Sequence, residues 1–176
     1  MDTEEQPLVN RVAESGLITI KLENFFPEEP LRSFDLKGYL FMGLILKEKE
    51  FREALHAHDW TQYKGAALLV FCSADAIIPV WAYMLVAAWA EPDARTVCQG
   101  NADEYYKMVF TQAIAQMDLE SYQDQRIVIK GCSDKPVPPS AYVELTRKLR
   151  PYAQSIMYGE PCSTVPIAKG PGICNL

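Results

Sequence analysis

The chain has 176 residues, 49% apolar and 23% charged, with a formal net charge of −6. That length fits one domain, and it can bury about two thirds of its unfolded surface without disulfide staples. The acidic balance and the lack of a Lys/Arg cluster exclude a nucleic-acid backbone or an anionic membrane surface as partner. No run reaches the roughly eighteen apolar residues of a membrane span. The nearest, Ala74 to Ala90, is interrupted by Asp75 and Pro79. Met1 to Pro7 is acidic and polar, unlike a secretion signal. The five cysteines are odd in number and irregularly spaced, which points to reduced thiols in a cytoplasm.

In chain order, residues 1–8 are expected to be a flexible tail. Leu17–Leu22 reads as a first strand and Leu36 to about Leu46 as a helical region. The pattern then repeats. A shift of 59 places Phe51 on Phe110, Ala54 on Ala113, Asp59 on Asp118 and Tyr63 on Tyr122. With one residue gained and then returned, Cys72-Ser73 falls on Cys132-Ser133. Asp75 then meets Asp134, Pro79 meets Pro138, and Gly100 meets Gly159.

Each unit (about 46–100 and 105–159) reads as helix, strand, helix, strand. Phe51–His58 and Asn101–Met117 carry apolar residues at helical steps, while Ala66–Phe71 and Arg126–Lys130 suit buried strands. Pro79 and Pro138 open helices that stop before Pro92 and Pro151. Arg95–Gln99 and Gln154–Tyr158 complete the units. The expected fold is α/β, a mainly parallel sheet covered by helices and built by internal duplication. It forms a single domain over 9–168, with a second tail at 169–176.

Ligands of such sheets sit beyond the carboxyl ends of the strands, where Cys72 and Cys132 fall. A third Cys-Ser pair, Cys162-Ser163, follows the last strand. Each pair precedes a branched residue and a proline: Ile78-Pro79, Val137-Pro138 and Val165-Pro166. Three converging thiolates would suit zinc, iron or an iron–sulfur cluster. Asp75, Asp134 or Glu160 could complete the coordination. For Asp75 and Asp134, helix N-capping is the plainer role. Ser73 and Ser133 could likewise bond free helix N–H groups. Cys98, aligned with Met157, reads as a packed apolar side chain. His58 should lie near the opposite sheet edge, because it precedes the strand that ends at Cys72; it is a weaker metal candidate.

Several strings are distinctive: Val9-Asn10-Arg11-Val12-Ala13, Gly43-Leu44-Ile45-Leu46-Lys47-Glu48-Lys49, His58-Asp59-Trp60, Cys72-Ser73-Ala74-Asp75-Ala76-Ile77, and Gly159-Glu160-Pro161-Cys162-Ser163-Thr164-Val165-Pro166. From about Val9 to Pro166 the chain resembles a bacterial family of uncharacterised proteins, domain-of-unknown-function family 2480. The resemblance implies an intracellular bacterial protein and supplies no activity. It also implies an association with iron–sulfur assembly proteins, and its motifs include Cys72, Cys132, Cys162 and His58.

Three functions are therefore expected in competition. A metal or iron–sulfur protein predicts bound metal that is lost when any of the three cysteines is changed. A small α/β enzyme with a cysteine nucleophile predicts one low-pKa thiol and no metal. A non-catalytic adaptor with structural cysteines predicts neither.

Overall fold

The computed structural model describes residues 16–131, 134–160 and 163–170. The fold is mixed α/β, with four α-helices among the described residues. The strands do not join one mainly parallel sheet as expected. They form two sheets and a separate hairpin, and one of the sheets is mixed. Contacts divide the chain into two compact units, residues 27–108 and residues 1–26 with 109–176. Among the described residues no helix is long and apolar enough to cross a membrane.

In the unit 27–108, β2 (Leu31–Asp35), β5 (Ala67–Phe71) and β6 (Thr96–Gln99) form a parallel sheet in the order β2-β5-β6. The central strand is buried from Ala67 to Val70 and half-buried at Phe71. This is the continuous apolar pattern of a strand covered on both faces. Helix α1 (Glu48–Ala57) buries Phe51 and Leu55. Helix α2 (Val80–Ala90) buries Ala82, Val86 and Ala90, a spacing of four.

The helix expected over Leu36–Leu46 is absent. In its place stand a 3-10 turn (Leu36–Tyr39) and a hairpin of β3 (Leu40–Phe41) and β4 (Ile45–Leu46). Asp35 starts the turn by accepting the Lys37 N–H, and Met42 and Gly43 take positive φ at the hairpin tip. Two successive left-handed residues cannot belong to a right-handed helix.

The other unit has β1 (Leu17–Ile20), β7 (Arg126–Lys130), β8 (Ser155–Glu160) and β9 (Ser163–Lys169), in the order β1-β7-β8-β9. The first three strands are parallel, and β9 folds back antiparallel on β8. That last strand makes the sheet mixed. Its Pro166 disguises it in the sequence, because a proline inside an apolar run argues against a ladder strand. As an edge strand, β9 tolerates the missing donor, and its register skips Ile167. Helix α4 (Pro139–Leu149) buries Ala141, Leu145 and Leu149.

Helix α3 (Ala102–Ala115) contains the division between the units. On its first turn Asn101 Oδ1 accepts the N–H groups of Asp103 and Glu104, while Glu104 returns a carboxylate oxygen to the Asn101 N–H. That reciprocal pair is a capping box with asparagine as the cap.

Within the unit 27–108, the fully buried Tyr105 of α3 donates its hydroxyl to Glu29 Oε1 at 2.5 Å, and Arg95 lies 3.7 Å from the other carboxylate oxygen. Burial pushes Glu29 upward, but the Tyr105 hydroxyl, backbone N–H groups and Arg95 outweigh it and hold the carboxyl below its ordinary value. A depressed carboxylate contributes stability above its unfolded pKa of about 4.3, and loses it as pH falls through the lower folded value. Tyr105→Phe is expected to cost about 1–3 kcal/mol at neutral pH, since a partly buried carboxylate loses its donor. In denaturant melts, the gap from wild type should narrow below about pH 4. A gap that is constant with pH would assign the loss to packing alone.

Candidate functional site

The carboxyl ends of the parallel strands form one edge in each unit. In the unit 27–108, Asp35 ends β2 opposite Phe71, so the next residues of β5's chain, Cys72 and Ser73, leave beside it. Asp35 Oδ1 accepts the Ser73 N–H at 3.0 Å, and Oδ2 accepts the Ser73 hydroxyl at 2.5 Å. Burial pushes Asp35 upward, but the bonds from Ser73 and Lys37 bring its carboxyl below the ordinary value. Asp35 was not singled out from the sequence, where it lies 38 residues from Ser73. Only the pairing of β2 with β5 brings them together.

Cys72 is half-buried against the core, and its thiol donates to the Ala74 carbonyl at 3.6 Å. Burial raises the nearby Tyr83 phenol, and the charge that Cys72 can carry raises it further. Cys98 is buried as a packed side chain, and burial, then Glu104, pushes its thiol up.

The capping roles expected of Asp75 and Asp134 are not found. The N-caps of α2 and α4 are Pro79 and Pro138, neither with a side-chain cap bond. Asp75 and Asp134 are both exposed and stand four residues earlier. An extended proline, with ψ of 138° at Pro79 and 141° at Pro138, separates each from the helix. A side chain of aspartate length cannot reach the first-turn N–H groups across that gap. Ser73 does not serve the helix either, because it is held by Asp35.

His58 does not lie at the opposite edge. Its ring meets Phe34 edge-on at 5.3 Å, and Phe34 pairs with Val70, two residues before Cys72. The chain is folded back by a 3-10 turn, Trp60–Tyr63, capped by Asp59 through the Thr61 N–H and hydroxyl. His58 stacks on Tyr63 at 5.7 Å and meets Trp60 at 4.8 Å. Its Nε2 lies 3.0 Å from the Tyr63 hydroxyl and 3.2 Å from the Gln62 amide nitrogen. That amide also donates to the Asp59 carbonyl. Among the described residues no group of three or more His, Cys, Asp or Glu side chains is placed to hold a metal ion.

In the other unit, Lys130 ends β7 paired with Gly159 of β8, and the Gly131 N–H donates to the Gly159 carbonyl at 3.3 Å. Lys130 bonds Glu23 at 3.2 Å, and both side chains are largely shielded. Glu23 raises the Lys130 pKa most; burial opposes, and Glu160 and Asp134 raise it further. Oε1 of Glu160 is buried and has no hydrogen-bond partner among the described residues. Cys132, Ser133 and Cys162 lie outside the described residues. Their described neighbours bound this edge: Gly131 beyond β7, and the paired residues Glu160 and Ser163, which close the β8–β9 hairpin.

A family profile described as "Protein of unknown function (DUF2480)" matches residues 6–170. The chain belongs to this family. The match spans both units and takes in Cys72, Cys132, Cys162, His58 and Glu160. No curated protein and no solved structure matches this DUF2480 member.

Proposed function

We propose that this protein binds zinc, iron or an iron–sulfur cluster through cysteine thiolates at a sheet's carboxyl edge, and serves iron–sulfur metabolism. Cys132 and Cys162 are the thiolate ligands of the leading site, with Glu160 as an oxygen donor and Asp134 beside it. Cys72, at the equivalent turn of the other unit, is the remaining candidate thiolate. The observation that carries the proposal is Oε1 of Glu160, buried and without a hydrogen-bond partner among the described residues. A carboxylate oxygen removed from water without a partner is unfavourable by several kcal/mol, and a cation is the partner that would offset this. The donor set fits as well, since thiolates joined by a carboxylate suit zinc or iron. Lys130 supplies a positive charge that offsets the surplus negative charge of such a ligand set.

Internal duplication belongs to the same reading. β5 and β7, α2 and α4, and the starts of β6 and β8 are each separated by 59 residues. The turn bonds share that offset: Gly65 N–H to Asp93 carbonyl matches Asp124 N–H to Tyr152 carbonyl. Duplication of one unit accounts for a cysteine turn in each half. A bacterial cytoplasm, with iron–sulfur assembly proteins as partners, is the setting we infer.

The test is metal analysis and a visible spectrum of protein purified without oxygen or chelator. Near-stoichiometric zinc or iron is expected, with at least tenfold less in Cys132→Ser and Cys162→Ser. Glu160→Gln should weaken retention against a chelator by about 10–100-fold. Folded wild-type protein that takes up neither metal under anaerobic reconstitution would refute the proposal.

A further inference from the structure

Helix α2 carries no charged residue from Val80 to Ala90, and a helix that is apolar all round is ordinarily covered all round. This one is not. Val80 is 73% exposed, Met84 66%, and Ile77 in the preceding loop 94%. Ala88 is exposed as well, so residues 80, 84 and 88 make one outward ridge at steps of four. The helix at the corresponding place in the other unit, α4, is built differently. Position 143 is an exposed valine like Met84, but beside it Glu144 and Arg147 form a solvent-facing ion pair. Equivalent places in two like topologies therefore have one outer face suited to water and one that is not.

We infer that the ridge Val80-Met84-Ala88 is a self-association surface, and that its occupant is the same ridge of a second copy of this chain. The first reason is self-complementarity. In an antiparallel crossing about a two-fold axis at Met84, Val80 of one copy faces Ala88 of the other, large against small, at both ends. Ridges spaced by four residues interdigitate in this way, and alanine lets the helices approach within about 8–10 Å.

The second reason is charge. A helix without charges does not repel its own copy. The rim at the neighbouring helix α1, whose His56 packs edge-on against Trp89 at 5.8 Å, is balanced in charge: Glu48 pairs with Arg52, Glu50 pairs with Lys47, and exposed Lys49 stands with exposed Glu53. Such a rim does not repel a second copy, while the chain's net charge of −6 opposes an anionic bilayer. The third reason is area. Ile77, Val80, Met84 and Ala88 leave several hundred Å² of apolar surface in water, near the upper end for a monomer. That supplies the apolar centre of an interface of about 800 Å² per partner, with the polar rim of α1 around it.

Mass should be measured by light scattering on size-exclusion fractions, from low to high micromolar concentration. The wild type is expected to approach the mass of two chains. Met84→Glu should raise the dissociation constant roughly thirtyfold or more, by placing a charge at the centre of the interface. Its circular dichroism and melting should be unchanged, since Met84 makes little of the fold's own packing. Val143→Glu, the matched position on α4, should leave the mass as in wild type. Met84→Cys should cross-link two copies on mild oxidation faster than wild type. A wild-type chain that stays single at high concentration overturns the inference, and so does a dimer indifferent to Met84→Glu. Binding of a single chain to zwitterionic vesicles, lost in Met84→Glu, would also overturn it by giving the face to a membrane.

Discussion

Gly159→Ala is expected to lose about 3 kcal/mol or more of unfolding free energy, while Gly100→Ala loses less than half of that. Gly159 lies in β8 and Gly100 directly follows β6, and both have nearly the same backbone, φ 125° and φ 122°. Neither φ is open to an L side chain without strain. The difference lies in what the new methyl group meets. At Gly159 it would sit 2.5 Å from the Ser163 carbonyl oxygen, which belongs to the backbone of the β8–β9 hairpin. That oxygen cannot move without disturbing the pairing of Glu160 with Ser163. At Gly100 the obstacle is the end of the Glu104 side chain, which can rotate away and give up its bond to the Asn101 N–H. Urea unfolding of the two variants side by side decides the matter, provided the m-value is unchanged. Equal losses would mean that backbone strain alone, and not the hairpin, sets the penalty.

Trp60→Ala should be comparably severe, at about 3–5 kcal/mol. The indole stacks on Phe34 at 5.5 Å, meets Tyr63 at 5.9 Å and His58 at 4.8 Å, and donates its Nε1–H to the Leu55 carbonyl at 2.9 Å. Truncation opens a cavity among aromatic rings, and it also removes one of the two donors to the Leu55 carbonyl in the last turn of α1, leaving only the His58 N–H. Trp60→Phe keeps most of the volume and removes only the bond, so about 1–2 kcal/mol is expected. The near-ultraviolet dichroism of the tyrosines should collapse in the alanine variant and persist in the phenylalanine one. A loss under about 1 kcal/mol for Trp60→Ala would show that the aromatic cluster fills space without holding the turn.

The parts of the fold that can be read from the sequence are those whose signal is local. β5 and β7 are short branched apolar runs, and α2 and α4 begin at Pro79 and Pro138 and end before Pro92 and Pro151. Whatever depends on distant partners is hidden. Leu36–Leu46 is apolar enough to pass for a helix, and only the left-handed Met42 and Gly43 mark a hairpin. β9 is masked by its own Pro166. A second echo also went unseen: Leu17 and Leu22 recur as Leu31 and Leu36, each pair opening a strand and then a 3-10 turn. The candidate site is legible to a similar degree. The Cys-Ser pairs are visible, because Cys-Ser before a branched residue and a proline is an uncommon string. Asp35 and Lys130 are not, since their importance comes from which strand lies beside them. The error over Asp75 is of a third kind. Its residue type suits a cap, but the extended proline that follows moves the helix out of its reach.

The order of strands along the chain has a consequence for biosynthesis. β1 is made first, yet its neighbour β7 begins only at Arg126, with the whole unit 27–108 encoded between them. At about 5–20 residues per second, the gap from Leu17 to Arg126 lasts roughly 5–20 s. The enclosed unit has all of its strands during that interval and can close on itself. Leu17-Ile18-Thr19-Ile20 meanwhile waits as an unpaired apolar edge, the segment of the nascent chain that a chaperone would have most reason to shield.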